Sequence, residues 1–194
     1  MIEAINNFDF AILDWIQAHL KCGFLDFIMV PITHLGKSGI FFIVCAVLML
    51  FFPKWRKTGW SIGVALLLGL IVCNIIVKPL VARIRPYDLL AQLGKPIELL
   101  TAPETDFSFP SGHTIAAFEF ATAFALNKPK WTVPVFVLAV LVAFSRLYLY
   151  MHYPTDVFTS VIFGIIFGIL GTAVVRAIYR AIERKRGQKL KSDV

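Results

Sequence analysis

Three short runs of residues carry side chains that can do chemistry together. The first is Phe109-Pro110-Ser111-Gly112-His113-Thr114, where a proline ends one segment and a histidine heads an apolar run. Ser111 and Gly112 open backbone amides at a predicted helix N-terminus. The first amides of a helix lack intrahelical partners and the dipole end is positive, so an anion is favoured there. The second run is Lys78-x6-Arg85-Pro86, whose spacing of two helical turns lets both cations share a face. Pro79 and Pro86 each restrict the residue before them, which predicts a break after Lys78 and a stop at Arg85. The third is Ser145-Arg146-x5-His152-x3-Asp156. Pro154 fits the first turn of a final helix and puts Asp156 near its third position, from where a carboxylate reaches back to His152 and fixes its tautomer.

Singly, each run has an ordinary reading. Ser111-Gly112 suits a plain helix start, Lys78 and Arg85 suit cations snorkelling at a membrane edge, and Asp156 suits a capping acid beside an interfacial histidine. Jointly they supply three cations, helix-end amides, two histidines and a carboxylate. The cations and amides suit a phosphate dianion, Arg giving planar two-point contacts and Lys a point charge. Two histidines allow one to attack phosphorus while the other protonates the departing oxygen. A divalent metal is the rival occupant. One Asp and two His crowded by three cations are a poor ligand set for it, so neither metal nor cofactor is expected.

The elements that must position these groups are membrane helices. Hydrophobic residues make up 58% of the 194-residue chain and charged residues 16%, with a mean hydropathy of +0.77. That excludes an ordinary soluble globule, and the apolar residues fall in long blocks parted by short basic connections. The net charge of +7 suggests nucleic acid until its distribution is read. Of 19 Lys and Arg, 12 lie at Lys54/Arg56/Lys57, at Lys128/Lys130 and between Arg176 and Lys191, all of them connections or tail. They read as positive-inside topology and contact with anionic headgroups, so membrane lipids and no nucleic acid are the expected partners. Cys22, Cys45 and Cys73 have no metal or redox spacing and read as packing residues. No basic n-region leads a compact apolar core, so no cleavable signal is expected.

Residues 2–20 alternate apolar and polar at helical spacing and suit a helix lying in the interface. A shorter apolar piece from Phe24 to Leu35 either continues that element or enters as a bent span. Apolar blocks then run over Gly39–Phe52, Gly59–Val77, Ile115–Leu126, Trp131–Phe144 and Val157–Val175. The expectation is one all-α integral membrane bundle of five transmembrane helices, six if residues 1–35 cross. It divides into an interfacial segment (1–35), a transmembrane domain (36–183) and a basic cytoplasmic tail (184–194). With Lys54–Lys57 inside, the 87–110 connection and all three reactive runs fall on the outer face.

Those runs, in order and with no position missing, resemble the three-part signature of the type-2 phosphatidic acid phosphatase superfamily, membrane lipid phosphatases related to vanadium haloperoxidases. The resemblance covers about residues 35–180. It implies a metal-independent phosphomonoesterase or pyrophosphatase working through a phosphohistidine at the outer face of the cell membrane. It further implies His152 as nucleophile oriented by Asp156, and His113 as general acid and then base. Lys78, Arg85 and Arg146 would neutralise the phosphoryl oxygens, with Ser111 and the Gly112 amide completing the cradle. A lipid phosphate is the implied substrate: undecaprenyl pyrophosphate first, then phosphatidylglycerophosphate and phosphatidic acid. A transporter of an anionic substrate is the alternative from another class, although binding alone needs neither two histidines nor a carboxylate behind one of them. Oligomeric state is not legible.

Other polar residues have plainer readings. Glu119 lies within a span, where an acid is a functional candidate by default, but structural pairing is the reading preferred. Arg83 reads as an extra interfacial cation and His34 as a headgroup-level histidine. Glu98, Glu104 and Asp106 read as a solvated loop face, with Phe107 and Phe109 anchoring that loop in lipid.

Overall fold

The structure, a computed structural model, describes residues 2–192; residue 1 of the N-terminal segment and residues 193 and 194 of the basic tail lie outside them. It is helical throughout. In order come α1 (Ile2–His19), α2 (Gly23–Gly36), α3 (Ile40–Phe51), α4 (Arg56–Gly69), α5 (Lys78–Val81), α6 (Pro86–Gln92), α7 (Gly112–Asn127), α8 (Thr132–Tyr148) and α9 (Pro154–Ser192). Four stretches are long and apolar enough to cross a membrane: Gly23–Phe51, Arg56–Gln92, Pro129–Tyr148 and Pro154–Arg186. The protein is an integral membrane protein.

The first of these stretches joins α2 to α3 through a kink, where Ser38 and Gly39 take left-handed φ values of 53° and 65°. The boundary expected at residue 35 therefore falls inside one long apolar piece. The two prolines of the first reactive run also behave differently from expectation. A π-helical stretch, Leu70–Val77, links α4 to α5, and Pro79 sits in the first turn of α5. Pro79 ends nothing there, because a first-turn residue needs no amide hydrogen. The helix stops instead at Ala82, whose φ is 48°. Pro86 opens α6, and Arg85 before it is extended at φ −70°, ψ 152°, as a residue ahead of proline prefers.

Helix α7 is the axis of the bundle. Every residue from Thr114 to Phe124 is buried, and α4, α8 and α9 pack around it. A helix of alanine and phenylalanine with no polar face suits such a central place. Phe120 stacks between Phe42 and Phe124 at centroid distances of 5.2 and 5.5 Å. Glycines bring α9 close. A Cβ at Gly164 or Gly168 would lie 2.6 Å from Phe118 Cβ or 2.5 Å from Thr122 Cβ on α7, and one at Gly171 would lie 2.7 Å from the Ala65 amide nitrogen on α4. Small residues at such contacts let helices approach where no hydrophobic drive between them exists.

The two ends of the bundle differ. At one, Lys128 Nζ donates to the Lys54 carbonyl at 2.9 Å and Arg176 Nη2 to the Leu126 carbonyl at 2.5 Å, so the basic connections gather there. At the other, α1 packs on the α8–α9 junction. Gln17 Nε2 donates to the Tyr148 carbonyl at 2.7 Å, and the Tyr150 hydroxyl donates to Asp14 Oδ1 at 2.7 Å.

Candidate active site

The end capped by α1 brings together the residues of all three reactive runs. Lys78 opens α5, Arg85 ends the extended turn before α6, His113 heads α7, Arg146 lies in the last turn of α8, and His152 and Asp156 flank the start of α9. Arg85, Arg146 and His152 are all about fully buried, at 1, 2 and 1% exposure.

Each ring nitrogen of His152 faces a different environment. Nε2 lies 3.3 Å from Arg85 Nη1, on the side of the cations. Nδ1 faces Ser108 Oγ at 3.5 Å and Asp156 Oδ2 at 3.7 Å. The Ser108 hydroxyl donates to Asp156 Oδ2 at 2.5 Å, and the Tyr153 amide donates to the same oxygen at 3.1 Å. Asp156 is thus the helix-start acid expected at the third position of α9. Its link to His152 is longer than a hydrogen bond and is bridged by Ser108, which the sequence offered no reason to single out.

Around the cations lies the largest departure from expectation. Glu104 is not part of a solvated face, and Asp106, although it keeps solvent on one side, is drawn into ion pairs. Arg146 Nη2 donates to Glu104 Oε1 at 2.5 Å, and Arg85 Nη2 pairs with Glu104 Oε2 at 2.6 Å. Lys78 Nζ donates to Asp106 Oδ2 at 2.6 Å, and Arg85 also binds Asp106 Oδ1 and the Asp106 carbonyl. Glu98 and Asp106 are both exposed, and Glu104 is the loop acid drawn inward. The physical reason is charge: three guanidinium and ammonium groups in a poorly solvated pocket need counter-charge, and the nearest loop supplies it. Burial raises Glu104, but Arg146 and Arg85 outweigh it and leave the carboxyl below its ordinary value. Burial likewise raises Asp106, and Lys78 and Arg85 bring it down to about 2.

His113 sits ahead of the apolar run of α7, with Nε2 3.8 Å from Glu104 Oε1. Burial lowers it, and Arg146, Arg85 and Lys78 add to that, to about 2. His152 is held well below its ordinary value by burial and then by Arg85 and Arg146. The position of the His113 ring depends on Gly36, because a Cβ there would come 2.6 Å from His113 Cδ2. Ser111 is fully buried and accepts from the Thr114 amide as the cap of α7 at 3.4 Å, while its own amide donates to Ser160 Oγ at 2.8 Å. Its hydroxyl is therefore engaged in the fold, and Gly112 is the member of that pair that borders open space.

That space is a cavity of about 980 Å³ running from Lys78, His113 and Arg146 down between α3 and α4 past Gly63 to Trp60. Glu104 and Asp106 border it, whereas His152 and Arg85 do not, so the two loop acids stand between the cavity and the buried imidazole. Glu119 also borders it, and its Oε1 has no hydrogen-bond partner; the expected structural pairing is not found among the described residues. His34 is exposed at the rim of the same cavity. Arg83 is not a free interfacial cation, since its Nη1 reaches Asp156 Oδ1 at 2.5 Å and its Nη2 reaches Asp9 Oδ2 at 2.7 Å.

The family profile described as PAP2 superfamily matches residues 58–180. An undecaprenyl-diphosphatase of Sulfolobus acidocaldarius is 33% identical over 69% of this chain; the match spans 62% of that protein, a little under two thirds of its length. Undecaprenyl-diphosphatase BcrC of Bacillus subtilis is 30% identical over 71% of this chain and 68% of its own. Among solved structures, LpxE of Aquifex aeolicus superposes with a TM-score of 0.72 at 26% identity, covering 84% of this chain and 94% of that one. A transmembrane PAP2 type phosphatidylglycerolphosphate phosphatase from Bacillus subtilis gives 0.71 at 26% identity, over 90% and 88%.

Proposed function

The chain belongs to the PAP2 superfamily, and from that membership we propose that it hydrolyses the phosphate or diphosphate headgroup of a membrane lipid through a phosphohistidine. The observation that carries the reading is the split environment of His152, with Nε2 toward Arg85 at 3.3 Å and Nδ1 toward Ser108 and Asp156. A ring nitrogen turned to a cation cluster is where a phosphorus atom bound by those cations would sit.

In the first step His152 Nε2 attacks phosphorus, the bond from phosphorus to the lipid or bridging oxygen breaks, and His113 gives that oxygen its proton. Lys78, Arg85 and Arg146 neutralise the three phosphoryl oxygens, and the Gly112 amide at the head of α7 adds a dipole of the same sign. In the second step His113 takes a proton from water, the water oxygen attacks phosphorus, the N–P bond breaks, and inorganic phosphate leaves. The low proton affinity of His113 in the free protein fits a site made for an anion. Arg146, Arg85 and Lys78 hold it down, and a phosphate dianion among them removes much of that effect.

The cavity suits a long apolar tail with its headgroup at the cations. The leading substrate is undecaprenyl pyrophosphate, the product then being the monophosphate, with phosphatidylglycerophosphate and phosphatidic acid next. Relatives of both kinds support that choice: two are named undecaprenyl-diphosphatases and one is phosphatidylglycerophosphatase B of Bacillus subtilis. With the basic connections on the inner side, the site opens to the outer face of the cell membrane.

The test is phosphate release by the purified protein in detergent with EDTA, comparing the three lipids and including His152→Ala. Activity that survives EDTA and is lost in the variant supports the reading. Activity that dies with EDTA, or persists without His152, overturns it.

A further inference from the structure

The family match begins at residue 58, so α1 lies wholly outside it. Yet α1 sends one side chain into the catalytic end. Asp9 is fully buried. Its Oδ1 accepts from the Thr155 amide at 3.0 Å, and its Oδ2 accepts from the Thr155 hydroxyl at 2.6 Å and from Arg83 Nη2 at 2.7 Å. Arg83 is shared. Its Nη1 donates to Asp156 Oδ1 at 2.5 Å and to Thr155 Oγ1 at 2.8 Å, its Nη2 also reaches Asn6 Oδ1 at 3.1 Å, and its guanidinium carbon lies 3.8 Å over the Tyr153 ring. Among the described residues Asp9 pairs with Arg83, whereas Lys78, Arg85 and Arg146 pair with Glu104 and Asp106.

We infer that Arg83 and Asp9 are positioning residues for the His152–Asp156 couple, so that the N-terminal helix supplies part of the catalytic assembly. The inference rests on the proposed role of His152 as nucleophile.

Two effects combine. The first is geometric. Asp156 uses Oδ1 on Arg83 and Oδ2 on Ser108 and the Tyr153 amide, so both oxygens are fixed, and Oδ2 is left facing His152 Nδ1. A carboxylate free to turn would not hold that face, and small displacements of reacting groups are costly. The second is charge. One guanidinium between two buried carboxylates leaves a net single negative charge beside the imidazole. When Nε2 bonds to phosphorus, the ring becomes cationic and that charge balances it. Were Asp9 absent, Arg83 and Asp156 would form a neutral pair, and the ring would lose its counter-charge.

The charge logic makes an unusual demand on a double-mutant cycle. Arg83→Gln leaves two unpaired buried carboxylates, and Asp9→Asn leaves a neutral pair. The double variant restores a single carboxylate, Asp156, as the only charge. Each single variant is expected to lower kcat about ten- to a hundredfold, with KM and the inhibition constant of inorganic phosphate within about threefold of the parent because the three phosphate-side cations are untouched. Arg83→Lys should recover part of the loss. The double variant should be more active than Arg83→Gln alone, which independent packing defects would not produce.

The experiment is steady-state hydrolysis of one lipid phosphate by the full chain in detergent, with phosphate inhibition measured in parallel. Asp9→Asn, Arg83→Lys, Arg83→Gln and the double variant are compared. Should Arg83→Gln fail to fold, Asp9→Asn and Arg83→Lys carry the test through the split between kcat and KM. The inference is overturned if kcat of Asp9→Asn stays within twofold of the parent. It is also overturned if KM and the phosphate constant rise while kcat holds, which would make Arg83 a substrate-binding cation, or if the double variant shows the multiplied loss of the singles. A parent protein inactive on every lipid would instead defeat the proposed function and is recognised by that alone.

Discussion

Glu104 holds Arg146 at 2.5 Å through one carboxylate oxygen, and through the other it holds Arg85 at 2.6 Å. A phosphoryl group in the proposed reaction needs the same two guanidinium faces. The loop acid and the substrate are therefore competitors for one set of donors.

Glu104→Gln should accordingly tighten binding of phosphate-like anions. Loss of a charged partner from a half-buried pair is worth roughly 1–2 kcal/mol, about five- to thirtyfold in the inhibition constant of vanadate. Vanadate titration of the variant against the parent decides this. An unchanged or weaker constant would mean that Glu104 organises the cations instead of competing for them.

Gly36→Ala tests how His113 is seated. The backbone there is right-handed, at φ −81° and ψ −12°, so alanine meets no backbone strain, and the new methyl group would press on the His113 side chain, 2.6 Å from Cδ2 and 3.1 Å from Cβ. Displacing the proposed general acid should lower kcat about tenfold or more. The thermal midpoint should change little. A variant with parental kcat would show that the ring can yield without consequence.

The cavity makes a claim about tails. Gly63 borders it and has nothing within 4 Å of an added Cβ, so Gly63→Phe fills space that an apolar chain would use. The ratio of kcat/KM for a long-chain to a short-chain lipid phosphate should fall about tenfold, in line with about two buried methylene groups lost at about 0.8 kcal/mol each. Equal losses on both substrates would place the tail elsewhere.

The histidines give stability a pH dependence. In the folded chain His113 is lowered to about 2 from an ordinary 6.5, and His152 is also held low. As pH falls through 6.5 the unfolded chain takes up protons on both rings while the folded chain does not, so folding stability must fall with pH in that range. The slope approaches about 1.4 kcal/mol per pH unit for each ring. Thermal unfolding in detergent between pH 7.5 and 5.5 should show the midpoint dropping, and His113→Asn should flatten the curve. A midpoint that rises on acidification would contradict the burial of both rings as neutral groups.

Much of this site was legible because its members are marked by type and spacing. Two histidines, three cations and a helix-start acid stand in short runs, and Pro154 dates the start of α9 to within a residue. The elements around them were legible as apolar blocks. What stayed hidden was pairing across long sequence distance. Glu104 and Asp106 look like any loop acids until the loop is folded back on Arg85. Arg83 looks interfacial until Asp9 and Asp156 arrive from 74 and 73 residues away. Ser108 carries no pattern, since a serine between two phenylalanines has no local reason to bridge an imidazole and a carboxylate. The acid Glu119 was visible, but that its Oε1 finds no hydrogen-bond partner among the described residues was not. The bend through Ser38 and Gly39 escaped because Gly36-Lys37 reads as an end and the helix resumes directly after it.

Helix α9 runs 39 residues, roughly 58 Å at 1.5 Å per residue, and it begins two residues before Asp156. Its depth is set where Gly164, Gly168 and Gly171 let it lie against α7 and α4 with room for no methyl group. In the proposed reaction Asp156 is therefore like the tip of a lever whose fulcrum lies at those glycines. Any slide or roll at that fulcrum is delivered to Asp156, although no residue there touches phosphate. Bilayer thickness acts on how such a rod tilts, so in the proposed reaction it would bear on turnover through the seat of Asp156.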